Sequence, residues 1–363
     1  MGRAWVQLSN GRVGLYRRTI RSFSADVGED LHFRRSDTGQ WSVTAKRQTV
    51  ADAELLRLTI EADPPWRMLT TAYAMSFKDK LLSGKRLLTV EAAPLKGVSF
   101  APVLEQVVPF KERVDAINVT DLQSSVMRLS ALAAAVQMRA AGVETILQVT
   151  CRDRNRLALQ SDLLAAASFD IENILALTGD HPILGDHPQS KPVFDLDAVQ
   201  LVAAARGLEQ GVDMAGRRLT GAAPRFCVGA VVNPGADPFE PELIKMEKKL
   251  AAGAEFFQTQ ALFDEKAGER FFKAVAPLKA RVLAGIVVLR SEKMARHMND
   301  HVPGVHIPES MIRELAQAPD KKAASVELAC DLIKKFAPMG QGVHLMPIGW
   351  YRVVSEILDG MGA

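Results

Sequence analysis

The sequence predicts an α/β protein, a (β/α)8 TIM barrel behind an N-terminal extension, and three observations carry that expectation. Eight short apolar runs recur between residues 86 and 348, helical patterns separate them, and the composition changes near residue 67. The chain has 363 residues, 48% hydrophobic and 24% charged, which is enough to bury a sizeable core and too apolar for a disordered polymer. No run of about 18 apolar residues lacks charges or turn signals, so no membrane span is expected. Three cysteines without a Cys-x-x-Cys pair make no disulfide framework, structural zinc site or iron–sulfur cluster by themselves. These features suit a cytoplasmic protein kept in a reducing compartment.

The extension stands apart in charge. Residues 1–74 hold 11 Lys+Arg against 8 Asp+Glu, whereas 75–363 hold 34 of each, so the net +3 belongs wholly to the first fifth. Ten of the eleven basic residues are arginine, and Trp5, Trp41 and Trp66 fall there too. Segments 5–8, 12–16 and 41–45 alternate weakly around Asn10-Gly11 and Thr38-Gly39 turn signals, a pattern open to small hairpins. Residues 1–25 carry five arginines and no acid, as transit peptides do, yet Asn10-Gly11 interrupts an amphipathic helix. The preferred expectation is a disordered arm or a spurious upstream start, with Met68 or Met75 as the true start. The boundary then separates 1–74 from a catalytic domain at 75–363.

The candidate strands are 86–92, 115–120, 145–151, 173–179, 226–232, 256–263, 282–289 and 343–348, each rich in Val, Ile, Leu or Phe. Helical spacing covers 126–140, 156–167, 198–208, 240–252, 265–278 and 292–299, several opening with Asp, Ser or Pro. An insertion at 308–336 supplies two more helices before the last strand. Near-continuous apolar strands separated by helices call for a parallel sheet covered on both faces, because each crossover is a helix. Eight units suit a closed barrel, and the 289 residues from 75 onward match its usual size of roughly 250 once the insertion is allowed for. A doubly wound open sheet is the alternative, but neither GxGxxG nor GxxxxGK[ST] occurs.

Barrel chemistry sits where the strands end. Those ends read Thr89-Val90-Glu91, Asn118-Val119-Thr120-Asp121, Gln148 to Asp153, Leu177-Thr178-Gly179-Asp180, Asn233-Pro234-Gly235 and Gln258-Thr259-Gln260. Such a polar and mostly uncharged rim suits a heterocycle held by amides and hydroxyls, with Glu91 or Asp180 as proton donor if buried. The His and carboxylate cluster of a metal hydrolase is missing, and no metal ligand set is expected. No basic stripe with aromatic platforms points to nucleic acid. Gly-Asp-His-Pro occurs twice, at 179–182 and 185–188, and reads as a cofactor-cradling loop in preference to a metal site through His181 and His187. His297 and His301 share a helix face as a solvated end, and Arg152, Arg154 and Arg156 suit either phosphate binding or a salt-bridged loop. Cys151 and Cys227 are expected to pack.

Four motifs then carry a resemblance: Leu88-Thr89-Val90-Glu91-Ala92-Ala93-Pro94, Gln148-Val149-Thr150-Cys151-Arg152-Asp153, Leu175-Ala176-Leu177-Thr178-Gly179-Asp180-His181-Pro182, and AGAEFFQTQALFD at 252–264. In this order they resemble the strand motifs of 5,10-methylenetetrahydrofolate reductase, collinearly from about Met75 to Gly360. The resemblance is strongest to the short bacterial, acetogen-type form without a regulatory domain, often paired with a cysteine-rich zinc or iron–sulfur subunit. It implies a flavin barrel that reduces 5,10-methylenetetrahydrofolate to 5-methyltetrahydrofolate in one-carbon and methionine metabolism. A non-redox pterin-binding barrel, or an accessory subunit of a methyl-transfer complex, is the other reading.

By that resemblance Glu91 matches the general acid that protonates N10 and opens the five-membered ring to a 5-iminium cation. Asp180 matches the aspartate between pterin and flavin, Gln260 the glutamine on the pterin edge and Arg352 a folate-contacting arginine, with Thr89 among the substrate contacts. Thr120, Gln148, Leu177, Thr178, Gly179, Asp180, Asn233 and Lys249 fall at cofactor positions, for FAD or else FMN, with Lys249 placed to reach a pyrophosphate. Gln148 and Asn233 replace histidines, Thr178 an arginine, and Met298 a stacking phenylalanine, which leaves the electron donor open among NAD(P)H, ferredoxin and a partner subunit. Self-association or a hetero-complex is expected.

Overall fold

The computed structural model describes residues 3–7, 13–17, 29–35, 41–47, 55–60 and 75–361, and the chain divides into two compact units, Met1–Thr70 and Thr71–Ala363. In the first unit β1 (Arg3–Gln7) pairs antiparallel with β2 (Val13–Arg17). Strands β3 (Glu29–Arg35), β4 (Trp41–Arg47) and β5 (Leu55–Ile60) form an antiparallel sheet in that order. The rest of 1–74, on which the expectation of a disordered arm or an upstream start also falls, lies outside the described residues.

In the second unit all eight expected strands form: β6 (Leu87–Ala92), β7 (Ala116–Val119), β8 (Thr145–Thr150), β9 (Asn173–Leu177), β10 (Cys227–Val232), β11 (Phe256–Ala261), β12 (Val282–Val287) and β13 (Gly342–Met346). Each pairs in parallel with its sequence neighbour, and β13 closes the ring against β6. The fold is a (β/α)8 barrel. Its covering helices are α1 (Phe77–Leu82), α2 (Ala101–Val107), α3 (Ala131–Ala140), α4 (Arg156–Ser168), α5 (Ala198–Glu209), α6 (Glu240–Ala251), α7 (Glu265–Val275), α8 (Glu292–His301), α9 (Glu309–Gln317), α10 (Lys321–Phe336) and α11 (Val354–Gly360).

The helix starts follow cap chemistry. Asn155, Asp264, Ser291 and Asp320 each accept a first-turn N–H with a side-chain oxygen, and Asp197 with Gln200 forms a reciprocal capping box on α5. The expected helix at 126–140 is shorter than its pattern. Leu122, Ser124 and Ser125 take φ of 48°, 55° and 58°, and the following stretch is pinned by a Leu129 N–H to Leu95 O bond of 2.9 Å, so α3 begins only after Ser130. α1, α2 and α11 were not expected, because each is too short for a full amphipathic repeat.

Two apolar clusters hold the barrel. The larger lies between strands and helices. The smaller fills the lumen floor, where Leu87, Ala116, Ile146, Leu175, Cys227, Phe256 and Leu283, one from each of seven strands, meet Phe77 and Leu81 of α1. The α1 helix therefore plugs the N-terminal mouth.

Candidate active site

Side chains alternate along each strand, so Leu87, Thr89 and Glu91 of β6 share the lumen face and lead from apolar floor to polar mouth. Directly above the floor lie Thr89, Asn118, Gln258 and His344, all buried, so their polar atoms must find partners in one another. Asn118 Nδ2 donates to Gln258 Oε1 at 2.7 Å, and Gln258 Nε2 donates to Asn118 Oδ1 and Thr89 Oγ1, both at 3.2 Å. Thr89 Oγ1 lies 2.9 Å from His344 Nδ1. Side chains from β6, β7, β11 and β13 thus form one hydrogen-bonded layer.

Glu91 crowns that layer. It is 7% exposed, Gln123 Nε2 donates to its Oε1 at 2.8 Å, and His344 Nε2 stands 3.9 Å from its Oε2. Tyr351 lies alongside, with the Ala93 N–H donating to its hydroxyl at 2.8 Å. Burial pushes the Tyr351 phenol up, against the pull of the Ala93 backbone, and the Glu91 carboxylate adds to the rise.

The loops above are clamped from beneath by Arg152, whose side chain is 3% exposed. Its guanidinium donates to Asp153, to Ser125 Oγ at 3.0 Å, to the Asp180 carbonyl at 3.3 Å and to the Leu122 carbonyl at 3.3 Å. One side chain therefore ties together the loops after β7, β8 and β9. Asp121, at the end of β7, accepts from the Thr150 N–H and hydroxyl at 2.9 Å each and pairs with Arg154. Farther out, Asp186 pairs with Lys96 and His187 and accepts from the Met127 N–H at 3.0 Å, and these partners hold its carboxyl far below the usual carboxylate range. Leu95, Met127, Ile183 and Leu184 remain exposed around this mouth.

The sequence-expected residues fall into three groups. Thr120, Gln148, Leu177, Thr178, Gly179 and Asn233 all stand at or just past the C-terminal ends of β7 to β10. Gly179 has φ +93°, and a Cβ there would meet Arg152 Cβ at 3.1 Å, so the β9 exit passes too close to β8 for a side chain. Asn233 accepts from the Gly235 N–H at 3.1 Å and donates to Pro303 O at 3.3 Å, joining the loops after β10 and α8. Asp180 and Thr178 are exposed at the mouth and Gln260 is half-buried.

The other two groups lie below the rim or outside it. Thr89 is fully buried beneath Glu91 with its hydroxyl engaged by Gln258 and His344. Lys249 sits outside the ring on α6, its Nζ donating to the Val231 carbonyl at 2.7 Å, and burial pushes its pKa down. Arg352 is exposed in the turn Tyr351–Val353. Residues missed at the sequence level include His344 and Gln123, while Asn118 and Gln258 were read only as part of the polar rim and given no separate role. The only signal for His344 was a histidine in an apolar run, at an alternating position that turns inward.

A profile of the methylenetetrahydrofolate reductase family matches residues 76–362. The chain belongs to the methylenetetrahydrofolate reductase family. Similar proteins include methylenetetrahydrofolate reductase 2 of Schizosaccharomyces pombe, 28% identical over 244 residues, covering 61% of this chain and 36% of that one. A probable methylenetetrahydrofolate reductase (NADH) of Oryza sativa subsp. japonica is 26% identical over 237 residues, covering 61% and 38%. The match thus spans little more than a third of the length of these reductases. Among solved structures, an uncharacterized protein from Clostridium thermocellum that binds two copies of 5-methyl-5,6,7,8-tetrahydrofolic acid superposes with a TM-score of 0.50 at 15% identity, covering 78% of this chain and 96% of that one, which shows a shared fold. Among the described residues of this reductase-family barrel no group of three or more His, Cys, Asp or Glu could hold a metal ion, and no helix is long and apolar enough to cross a membrane.

Proposed function

We propose that the barrel reduces 5,10-methylenetetrahydrofolate to 5-methyltetrahydrofolate with a bound flavin, FAD in preference to FMN. The observation that carries this reading is Glu91, a buried carboxyl at the mouth of a reductase-family barrel with one oxygen hydrogen-bonded by Gln123 and the other facing His344. A flavin supplies the hydride when bound. Its fit rests on Thr120, whose hydroxyl is buried at the end of β7 without a hydrogen-bond partner, a state that costs about 1–3 kcal/mol unless a ligand completes it. Thr120, Gln148, Leu177, Thr178, Gly179 and Asn233 would hold the flavin, with Lys249 behind β10 supporting it.

The remaining chemistry belongs to this chain. Glu91 holds a proton and passes it to N10 of the substrate as the N10–methylene bond breaks, leaving an electrophilic 5-iminium carbon. Asp180 accepts from the pterin amino and ring N–H groups, Gln260 reads the pterin edge through its amide, and Arg352 binds the carboxylate-bearing tail. The exposed apolar side chains at the mouth exclude water around the rings.

Purified protein should carry a flavin spectrum that bleaches on reduction and returns on adding 5,10-methylenetetrahydrofolate. Glu91→Gln should keep flavin reduction and lose the folate half-reaction by about 10²–10⁴-fold, the usual contribution of a positioned acid. A colourless protein that neither FAD nor FMN reconstitutes sinks the proposal and favours a non-redox folate carrier, as a shared fold with the C. thermocellum protein allows. Anaerobic assays with NADH, NADPH and reduced ferredoxin, with and without a zinc or iron–sulfur partner, identify the donor.

A further inference from the structure

The buried layer under Glu91 has a direction. Gln258 spends one amide hydrogen on Asn118 Oδ1 and the other on Thr89 Oγ1, while its Oε1 accepts from Asn118 Nδ2. The Thr89 oxygen already accepts from Gln258, so its hydroxyl hydrogen has His344 Nδ1, 2.9 Å away, as its acceptor. A histidine that accepts at Nδ1 carries its hydrogen at Nε2, the nitrogen 3.9 Å from Glu91 Oε2. The buried apolar floor of Phe77, Leu81 and Phe256 lies beneath the layer and offers it no competing hydrogen-bonding side chain.

We propose that His344 is a positioning residue for proton transfer, locked by the Asn118–Gln258–Thr89 chain as the Nε2–H tautomer that faces Glu91. This rests on the reading of Glu91 as proton donor. As the Glu91 proton moves to N10, the O–H electron pair stays on the carboxylate, and the His344 Nε2–H closes from 3.9 Å to a hydrogen bond with the new anion. His344 neither gains nor loses a proton, and Glu91 is recharged from solvent at the mouth. Long contacts that tighten in the reacting complex are usual for such groups. The other groups facing Glu91 are Gln123 from the turn after β7 and Tyr351 from the turn after β13, with Arg128 as the next charge beside Tyr351.

Two measurements decide it. Nitrogen-15 NMR of the imidazoles, with His344→Asn assigning one signal among the seven histidines, should show His344 as the Nε2–H tautomer. The Nδ1–H tautomer overturns the proposal, whatever the enzyme's activity. In stopped-flow experiments on reduced holoenzyme, His344→Asn, which keeps a polar atom near Thr89 and none near Glu91, should slow reoxidation by the folate at least about tenfold. Its alkaline limb should move to higher pH, with flavin reduction changed less than about twofold. His344→Gln, which returns an amide N–H near the Nε2 position, should recover most of the rate. Equal loss in both half-reactions, or a Gln variant no better than Asn, overturns the role. If the His344 variants fail to fold, Thr89→Val removes the hydroxyl that sets the tautomer and should yield a mixed tautomer with slower reoxidation, and an unchanged tautomer counts against the proposal. A wild-type flavin that never reoxidises with the folate defeats the proposed reaction, while the tautomer still decides how His344 is set.

Discussion

A methyl group added at Gly229 tests the lumen packing on which the site stands. Gly229 of β10 is directly opposite Phe256 of β11, and a Cβ there would lie 2.3 Å from Phe256 Cζ and 2.5 Å from Cε1 and Cε2. The ring has nowhere to go: Phe256 is fully buried, and Phe77 packs edge-on against it with centroids 5.3 Å apart. Gly229→Ala should therefore cost about 1–3 kcal/mol through overpacking. Phe256→Ala alone opens a cavity in the same place and should cost about 3–5 kcal/mol. Combined, the new methyl enters space the ring has left, so the pair should cost less than the sum by roughly 1–3 kcal/mol. Urea unfolding of the full chain, followed by near-ultraviolet circular dichroism with m compared across the four proteins, measures each term. Additivity within about 0.5 kcal/mol would refute the β10–β11 register and the packed floor.

Other outcomes follow from the same structure. Thr120→Val removes an unpaired buried hydroxyl, so the flavin-free protein should be unchanged or stabilised by up to about 1 kcal/mol while flavin binds more weakly, read by thermal melts and fluorescence titration; lower apo stability with unchanged affinity would contradict this. Burial, aided by Asp197, pushes the Cys151 thiol up to about 12, and burial raises Cys227 and Cys330 as well, so iodoacetamide at pH 8 should label none of the three in the folded protein, and rapid labelling counted by mass spectrometry would exclude the packing. The Arg156 guanidinium and backbone N–H hold Asp195 at about 2. Because the unfolded chain then binds more protons, this contribution is present above about pH 4 and lost as pH falls toward about 2, so the stability gap between wild type and Asp195→Asn should narrow over that range; a gap independent of pH would refute the pairing.

The barrel was legible because its period is local. Each apolar run is six to eight residues rich in β-branched, aliphatic or aromatic side chains and bracketed by caps and turns, and every one of the eight holds a strand of four to six residues. The helix expected at 126–140 lost its first turn to the left-handed Leu122, Ser124 and Ser125, which the mouth's loop contacts impose on residues with no local preference for that conformation. Glu91, Asp180 and Gln260 were expected from strand-end position and family motif, and the strands place all three at the C-terminal end of the barrel. Arg152 read equally well as a phosphate contact or a surface ion pair, and only the folded chain shows it under three loops, bonded to the Ser125 hydroxyl and to backbone carbonyls 28 and 30 residues away.

What the sequence by itself determined is the ladder of strands and helices and the polar rim at its exits, since both follow from spacing within a few residues. Which of those polar groups face one another was decided only by closure of the ring. β13 pairs with β6 across some 250 residues of chain, setting His344 opposite Thr89 and within reach of Glu91. Neither the motif around Glu91 nor that around His344 contains the other, so the approach of the two side chains exists only once β6 and β13 meet.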